Sequence, residues 1–228
     1  MTDAISRTAQ TQSPGDGSAA RQAQVQLRLM FPTPVALFQL PNAEPLNADL
    51  RRIVLERERT HAGSQHSNLG GWQSSWDFPE WGGKPAAALL KGAKRLADDL
   101  TCDRSGQKVR PDWKANAWAN VNRSGHGNEF HTHPGCFWSG VYYVDDGGIG
   151  ADPALGGEFE IQDPRGVAPA MYAPRLTVAA TGGAAMGASE TVSPRSGLLV
   201  LFPSWLSHAV RPYRGTATRI SIAFNLSL

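Results

Sequence analysis

Hydrophobic positions along the chain follow two different periods, and the change comes near Lys108. Upstream, Leu50, Ile53 and Val54 recur at the spacing of one helix face, while the arginines and glutamates between them fall outside it. Asn47 is the predicted N-cap of that helix, which runs to residue 60. Pro85 opens a second helix, with Leu89, Leu90, Ala93, Leu96 and Leu100 on its apolar face. Two strands precede the helices, over residues 25–31 and 35–40, joined by a turn at Pro32-Thr33-Pro34. Between the helices, residues 67–76 read as an aromatic, glycine-rich loop or irregular strand.

Downstream, short alternating or apolar runs are predicted as strands over 113–122, 137–144, 157–162, 176–180, 198–202 and 220–226. Glycine and proline turns separate them, and no helical period intervenes. Such density of strands predicts an antiparallel sandwich or barrel. The fold class is therefore mainly β with flanking helices, a helical support over 45–101 packed on a core over 108–228. An insert over 167–196, rich in Ala, Gly and Ser, reads as one or two strands with long mobile loops. No internal repeat is present.

Composition narrows the function classes. Residues 1–24 are polar, without the apolar run of a secretory signal, and read as a disordered leader to a single domain over 25–228. The formal charge of +2, from 22 basic and 20 acidic residues, with no basic stripe, argues against nucleic-acid and membrane partners. Cys102 and Cys136 read as buried free thiols in a reducing cytosol, so the expected location is cytoplasmic. Oligomeric state is left open, with a homodimer as one alternative.

The chemistry gathers at Glu129-Phe130-His131-Thr132-His133-Pro134-Gly135. In extended backbone, positions i and i+2 share a face, and Pro134 favours that conformation at His133. His131 and His133 can then aim at one point, and His208, in Phe202-Pro203-Ser204-Trp205-Leu206-Ser207-His208, is the third imidazole. Eleven residues later stands Arg219, on the same face of its strand as Ser221, Ala223 and Asn225. An arginine on such a face needs an anionic partner, and its planar fork suits a carboxylate, with the Ser221 hydroxyl beside it. Paired instead with Asp145 or Glu160, Arg219 would be a structural core residue. His61, His66 and His126 read as surface residues, and Asp163-Pro164-Arg165 as a turn with a salt bridge or as part of the site.

The order H-x-H, strand, distal His, R-x-S resembles the Fe(II)- and 2-oxoglutarate-dependent dioxygenases, and Ser139-Gly140-Val141-Tyr142-Tyr143-Val144 resembles the strand after H-x-D in prolyl hydroxylases. With Asn120-Val121-Asn122, Gly156-Gly157-Glu158-Phe159-Glu160-Ile161 and Asp163-Pro164-Arg165, the chain is similar to a microbial branch of these oxygenases from Phe31 to Asn225. The resemblance implies a double-stranded β-helix (jelly roll) and an oxidoreductase that couples 2-oxoglutarate decarboxylation to oxidation of a substrate by O2. It implies iron on His131, His133 and His208, and 2-oxoglutarate held by Arg219 and Ser221. Asn120, Asn122 and Tyr142 are expected around the co-substrate, and Trp118 and Trp138 with Tyr142 as pocket walls. Relatives place an acid where His133 stands, so the ligand set is either three histidines or one that includes Glu129. Two other readings remain: a cupin-like three-His dioxygenase that does not use 2-oxoglutarate, and a non-catalytic jelly-roll binding module.

Overall fold

The computed structural model describes residues 30–166, 171, 173, 175–176, 187 and 189–228. The leader, most of the predicted strand over 25–31 and most of the insert lie outside the described residues. Met30 and Phe31, at the end of that predicted strand, are not in a strand.

Strands β1 (Ala36–Gln39), β3 (Trp72–Gln73), β4 (Lys114–Asn122), β6 (Trp138–Asp145), β9 (Leu198–Pro203) and β11 (Arg219–Ser227) form one sheet, in the order β1-β9-β6-β11-β4-β3. Strands β2 (Asn68–Leu69), β5 (Gly127–His131), β7 (Phe159–Gln162), β8 (Ser189–Val192) and β10 (His208–Val210) form the second, in the order β2-β5-β10-β7-β8. Every strand pairing is antiparallel, and the two sheets make a double-stranded β-helix.

Helices α1 (Glu44–Thr60) and α3 (Gly83–Leu100) cover the outer face of the larger sheet, with a short α2 (Phe78–Trp81) between them. Leu50, Val54, Leu89, Leu90 and Ala93 pack there against Tyr142, Ile220, Ile222 and Phe224. Burying each of the larger of these side chains contributes roughly 1.5–3 kcal/mol. A second cluster, Tyr143, Phe159, Leu198, Val200, Phe202 and Leu206, fills the space between the sheets. Gly140 is required on β6 because a Cβ there would run into the Phe224 ring and the Val200 carbonyl.

Several expectations are corrected. Helix α1 begins at Glu44, not after Asn47, because Pro45 fits the first turn, where its missing N–H costs nothing. Asn47 is inside the helix, and its Oδ1 accepts the Tyr142 hydroxyl at 2.6 Å. Leu100, at the end of α3, is 47% exposed rather than part of the apolar face. Leu176 is in no strand, and the rest of the predicted strand over 176–180 lies outside the described residues. The cysteines are free but not buried: Cys102 is exposed and Cys136 half-buried. Among the described residues, no helix is long and apolar enough to cross a membrane.

Candidate active site

The three imidazoles converge. One ligand nitrogen from each of His131, His133 and His208 lies within 4.8 Å of the others. His131 ends β5 and His208 begins β10, directly opposite each other in register, so the sheet sets their approach. His133 lies beyond the strand end, so alternation along a strand does not place it. Its backbone N–H donates to the Ser204 carbonyl at 2.9 Å, and the turn at Pro134-Gly135, with Gly135 at φ 86°, folds the segment back. The Ser204 hydroxyl donates to the Cys136 carbonyl, which ties the Phe202-Pro203-Ser204 loop to the histidine loop.

Tautomers follow from the carbonyls. His131 Nδ1 stands 2.8 Å from the Glu129 carbonyl and His208 Nδ1 2.8 Å from that of Leu206. A carbonyl only accepts, so each Nδ1 carries the proton and each Nε2 lone pair is free for a metal. Burial, and for His133 and His208 the neighbouring imidazoles as well, lowers the pKa of all three, to about 4 for His133 and about 3 for His208. All three are therefore neutral at pH 7, as ligation requires. Glu129 contributes only its backbone carbonyl; it is exposed and does not belong to the convergent group. The donor set is nitrogen-rich and fits a divalent transition metal such as Fe(II).

Arg219 lies in the same cavity of about 390 Å³ as the imidazoles. It is 1% exposed, and among the described residues it makes no ion pair. Asp145 pairs with Arg51 and Glu160 with Arg211, so neither neutralises it. Arg219 Nη1 donates to Asn122 Oδ1 at 3.1 Å and Nη2 to the Gly157 carbonyl at 3.3 Å, while the buried Nε has no acceptor. Burial pulls the pKa of Arg219 down, yet a guanidinium stays cationic in proteins. Leaving such a charge buried and unpaired costs several kcal/mol. A dianion of the size of 2-oxoglutarate fits that demand.

The register shows which predicted residues face the cavity. Opposite Arg219 stands Asn122; opposite Ser221 stand Asn120 on β4 and Tyr143 on β6. Ser221 and Asn120 line the cavity as expected, whereas Asn122 acts on Arg219, taking its Nη1. Tyr142 and Trp138 do not line it. They face the helices, Tyr142 donating to Asn47 and Trp138 Nε1 to Thr101 Oγ1 at 3.0 Å. The aromatic in their place is Tyr143, whose buried hydroxyl makes no hydrogen bond of ordinary geometry, interacts with the nearby Arg219 guanidinium, and has its pKa pushed up to about 12 by burial. Trp118 lines the cavity, its ring 5.6 Å from that of His133.

Sequence reading missed Tyr143, Ser67 and His66. Ser67 Oγ lies 3.5 Å from His131 Nε2 and takes a hydrogen bond from Asn128 at 3.1 Å. His66 is exposed yet lines the cavity mouth, its ring 5.1 Å from that of Trp76. Asp163-Pro164-Arg165 is a turn whose arginine pairs with its aspartate at 2.8 Å.

Residues 116–225 match a family model described as "Putative 2OG-Fe(II) oxygenase", a stretch that holds all three imidazoles and Arg219. No curated protein sequence matches the chain. Among solved structures, a Pseudomonas putida prolyl-4-hydroxylase is similar at 16% identity and TM-score 0.59, over 86% of this chain and 92% of that one. A Trichoplax adhaerens prolyl hydroxylase, solved with a hypoxia inducible factor peptide fragment, is similar at 13% identity and TM-score 0.57, over 85% and 83%. HygX of Streptomyces hygroscopicus, solved with nickel and 2-oxoglutarate, is similar at 12% identity and TM-score 0.53, over 86% and 83%. At these identities the likeness establishes the shared fold.

Proposed function

We infer that this chain is a 2OG-Fe(II) oxygenase, an oxidoreductase, whose iron is held by His131, His133 and His208. Its co-substrate carboxylate is held by Arg219 with Tyr143, Ser221 and Asn120. One observation carries the reading: a buried guanidinium with no ion pair among the described residues shares a cavity with three convergent, neutral imidazoles. When bound, Fe(II) and 2-oxoglutarate supply the oxidation of a substrate by O2, with 2-oxoglutarate converted to succinate and CO2.

The chain's own residues bind, orient and exclude water. Asn122 and the Gly157 carbonyl fix the guanidinium plane, leaving its Nε edge and the Tyr143 hydroxyl to meet a carboxylate. The Glu129 and Leu206 carbonyls hold two imidazoles in the ligating tautomer. The Phe159 and Phe202 rings, 5.2 and 4.7 Å from that of His208, shield one side of the centre from solvent. With three neutral ligands a bound metal would keep its full double charge, of which the co-substrate carboxylate not paired with Arg219 would offset one unit.

The three-His set also fits a cupin-like dioxygenase that does not use 2-oxoglutarate, but that reading leaves Arg219 buried without an anion. The free thiols of Cys102 and Cys136 support a cytoplasmic location, and the balanced charge supports a partner set without nucleic acid. A homodimer is compatible with the reading.

Metal analysis of purified protein combined with succinate formation from 2-oxoglutarate under air tests the assignment. Iron-dependent succinate is expected. Bound iron with neither 2-oxoglutarate binding nor turnover would overturn it in favour of the cupin-like enzyme, and failure to bind any metal would favour the non-catalytic module.

A further inference from the structure

The inward faces of β4, β11 and β6 form four rungs, read from the register. The first pairs Asn122 with Arg219. The second sets Asn120, Ser221 and Tyr143 side by side, and the third Trp118, Ala223 and Val141. The fourth brings together Asn116, Asn225 and Ser139. Successive rungs lie about 7 Å apart along the strands. The first two are polar and suit the co-substrate; the third is apolar and lies beside the imidazoles, through the Trp118–His133 contact. A five-carbon dicarboxylate that reaches from Arg219 to the imidazoles has no length left for the fourth rung, about 20 Å from the first.

That fourth rung is nevertheless polar, with Asn225 and Ser139 buried and Asn116 half-buried. Asn225 is 7% exposed and Ser139 1%. Ser139 Oγ donates to Asn225 Oδ1 at 2.7 Å, which leaves the Nδ2 hydrogens of Asn225 as donors. Across from it, the buried Oδ1 of Asn116 has no partner. The rung thus presents one donor group and one open acceptor side by side, the complement of an amide's carbonyl and N–H. Arg219 is the one Asp, Glu, Lys or Arg among the described residues that line the cavity, and the co-substrate occupies it. Among the described lining residues, no other Asp, Glu, Lys or Arg side chain remains to neutralise a carboxylate or an ammonium at the substrate end. Beside the rung, Trp76 and Trp118, with ring centres 6.4 Å apart, offer an aromatic wall.

We propose that Asn116 and Asn225 form a substrate subsite for a neutral amide, its carbonyl accepting from Asn225 Nδ2 and its N–H donating to Asn116 Oδ1. The carbon framework of the substrate then lies along Trp76 and Trp118. This rests on the oxygenase reading of the same cavity.

The test uses protein loaded with Fe(II) and 2-oxoglutarate and kept free of oxygen. The probe is N-methyl-3-phenylpropanamide, set against 3-phenylpropanoate, its carboxylate counterpart, which has no amide. In titration calorimetry the amide should bind about tenfold more tightly than the acid, since a carboxylate cannot donate to Asn116 Oδ1 and meets no cationic side chain of the rung. Asn116→Leu removes the acceptor, and Asn225→Asp removes the donors while keeping the Ser139 hydrogen bond. Each should weaken amide binding about tenfold and leave 2-oxoglutarate binding within about twofold. Equal affinity for amide and acid, amide binding untouched by both variants, or no amide binding overturns the subsite while the oxygenase reading stands. Failure of 2-oxoglutarate itself to bind, seen before any probe is added, overturns the oxygenase reading and the subsite with it.

Discussion

Tyr142 and Tyr143 are neighbours of identical chemistry on one strand, and their surroundings differ in kind. Both are fully buried. The Tyr142 hydroxyl points towards the helices and is satisfied by Asn47 at 2.6 Å. Tyr143 lines the cavity, and its hydroxyl, beside the Arg219 guanidinium, makes no hydrogen bond of ordinary geometry. The same division runs across the larger sheet. On its outer face, apolar side chains of β6 and β11 pack against α1 and α3, and Trp138 finds Thr101. Asn116 Oδ1, Tyr143 Oη and Arg219 Nε, which make no hydrogen bond of ordinary geometry, all belong to residues that line the cavity. Burying unsatisfied groups costs stability, so a fold concentrates them only where something else supplies the partners. One face of the sheet makes the fold, and the other waits for ligands.

The comparison breaks most sharply at the metal. His208→Ala removes one of three ligands and should weaken Fe(II) binding of the folded protein more than about 100-fold in a competition titration. The outer face should behave in the opposite way. Phe224→Ala empties a fully buried site against the helices and should cost about 3–5 kcal/mol in urea unfolding, while the folded fraction retains its 2-oxoglutarate affinity. The tyrosine pair divides the two effects at one hydroxyl each. Tyr142→Phe should lower stability by about 1 kcal/mol and leave co-substrate binding alone. Tyr143→Phe should leave stability nearly unchanged and weaken 2-oxoglutarate about tenfold. If the two exchanged their effects, the division between the faces would be wrong.

A further effect concerns protons. His133 and His208 titrate near 4 and 3 in the folded chain, against an ordinary 6.5. Between those values the unfolded chain binds more protons, so the stability of the metal-free protein should fall as pH drops from 6.5 towards 4. His133→Gln should flatten that slope, and an unchanged slope in the variant would mean that this imidazole is not held neutral by the fold.

The strand-rich core, the two helices, the three imidazoles and Arg219 were legible because each leaves a mark along the chain: a period, a turn residue, a charge on an apolar face. The failures share one cause. Both faces of β6 are buried, so its sequence carries no alternation to tell Tyr143 from Tyr142. Only the register against β11, with Ser221 opposite Tyr143, decides which one meets the cavity. Asn122 likewise looked like a ligand contact until its position opposite Arg219 made it a partner of the guanidinium. Strands β5 and β10 are five and three residues long, too short for a period, and His133 is placed by a hydrogen bond to Ser204 from a distant loop.

The central claim is that the unpaired guanidinium of Arg219 is the anchor for 2-oxoglutarate. Calorimetric titration of 2-oxoglutarate into Fe(II)-loaded, oxygen-free protein tests it directly, comparing the native chain with Arg219→Ala at equal iron content. Loss of a charge-assisted, bidentate contact predicts a rise in the dissociation constant of about 100-fold with iron still bound. Unchanged 2-oxoglutarate affinity in the variant, or loss of the iron instead, would contradict the account.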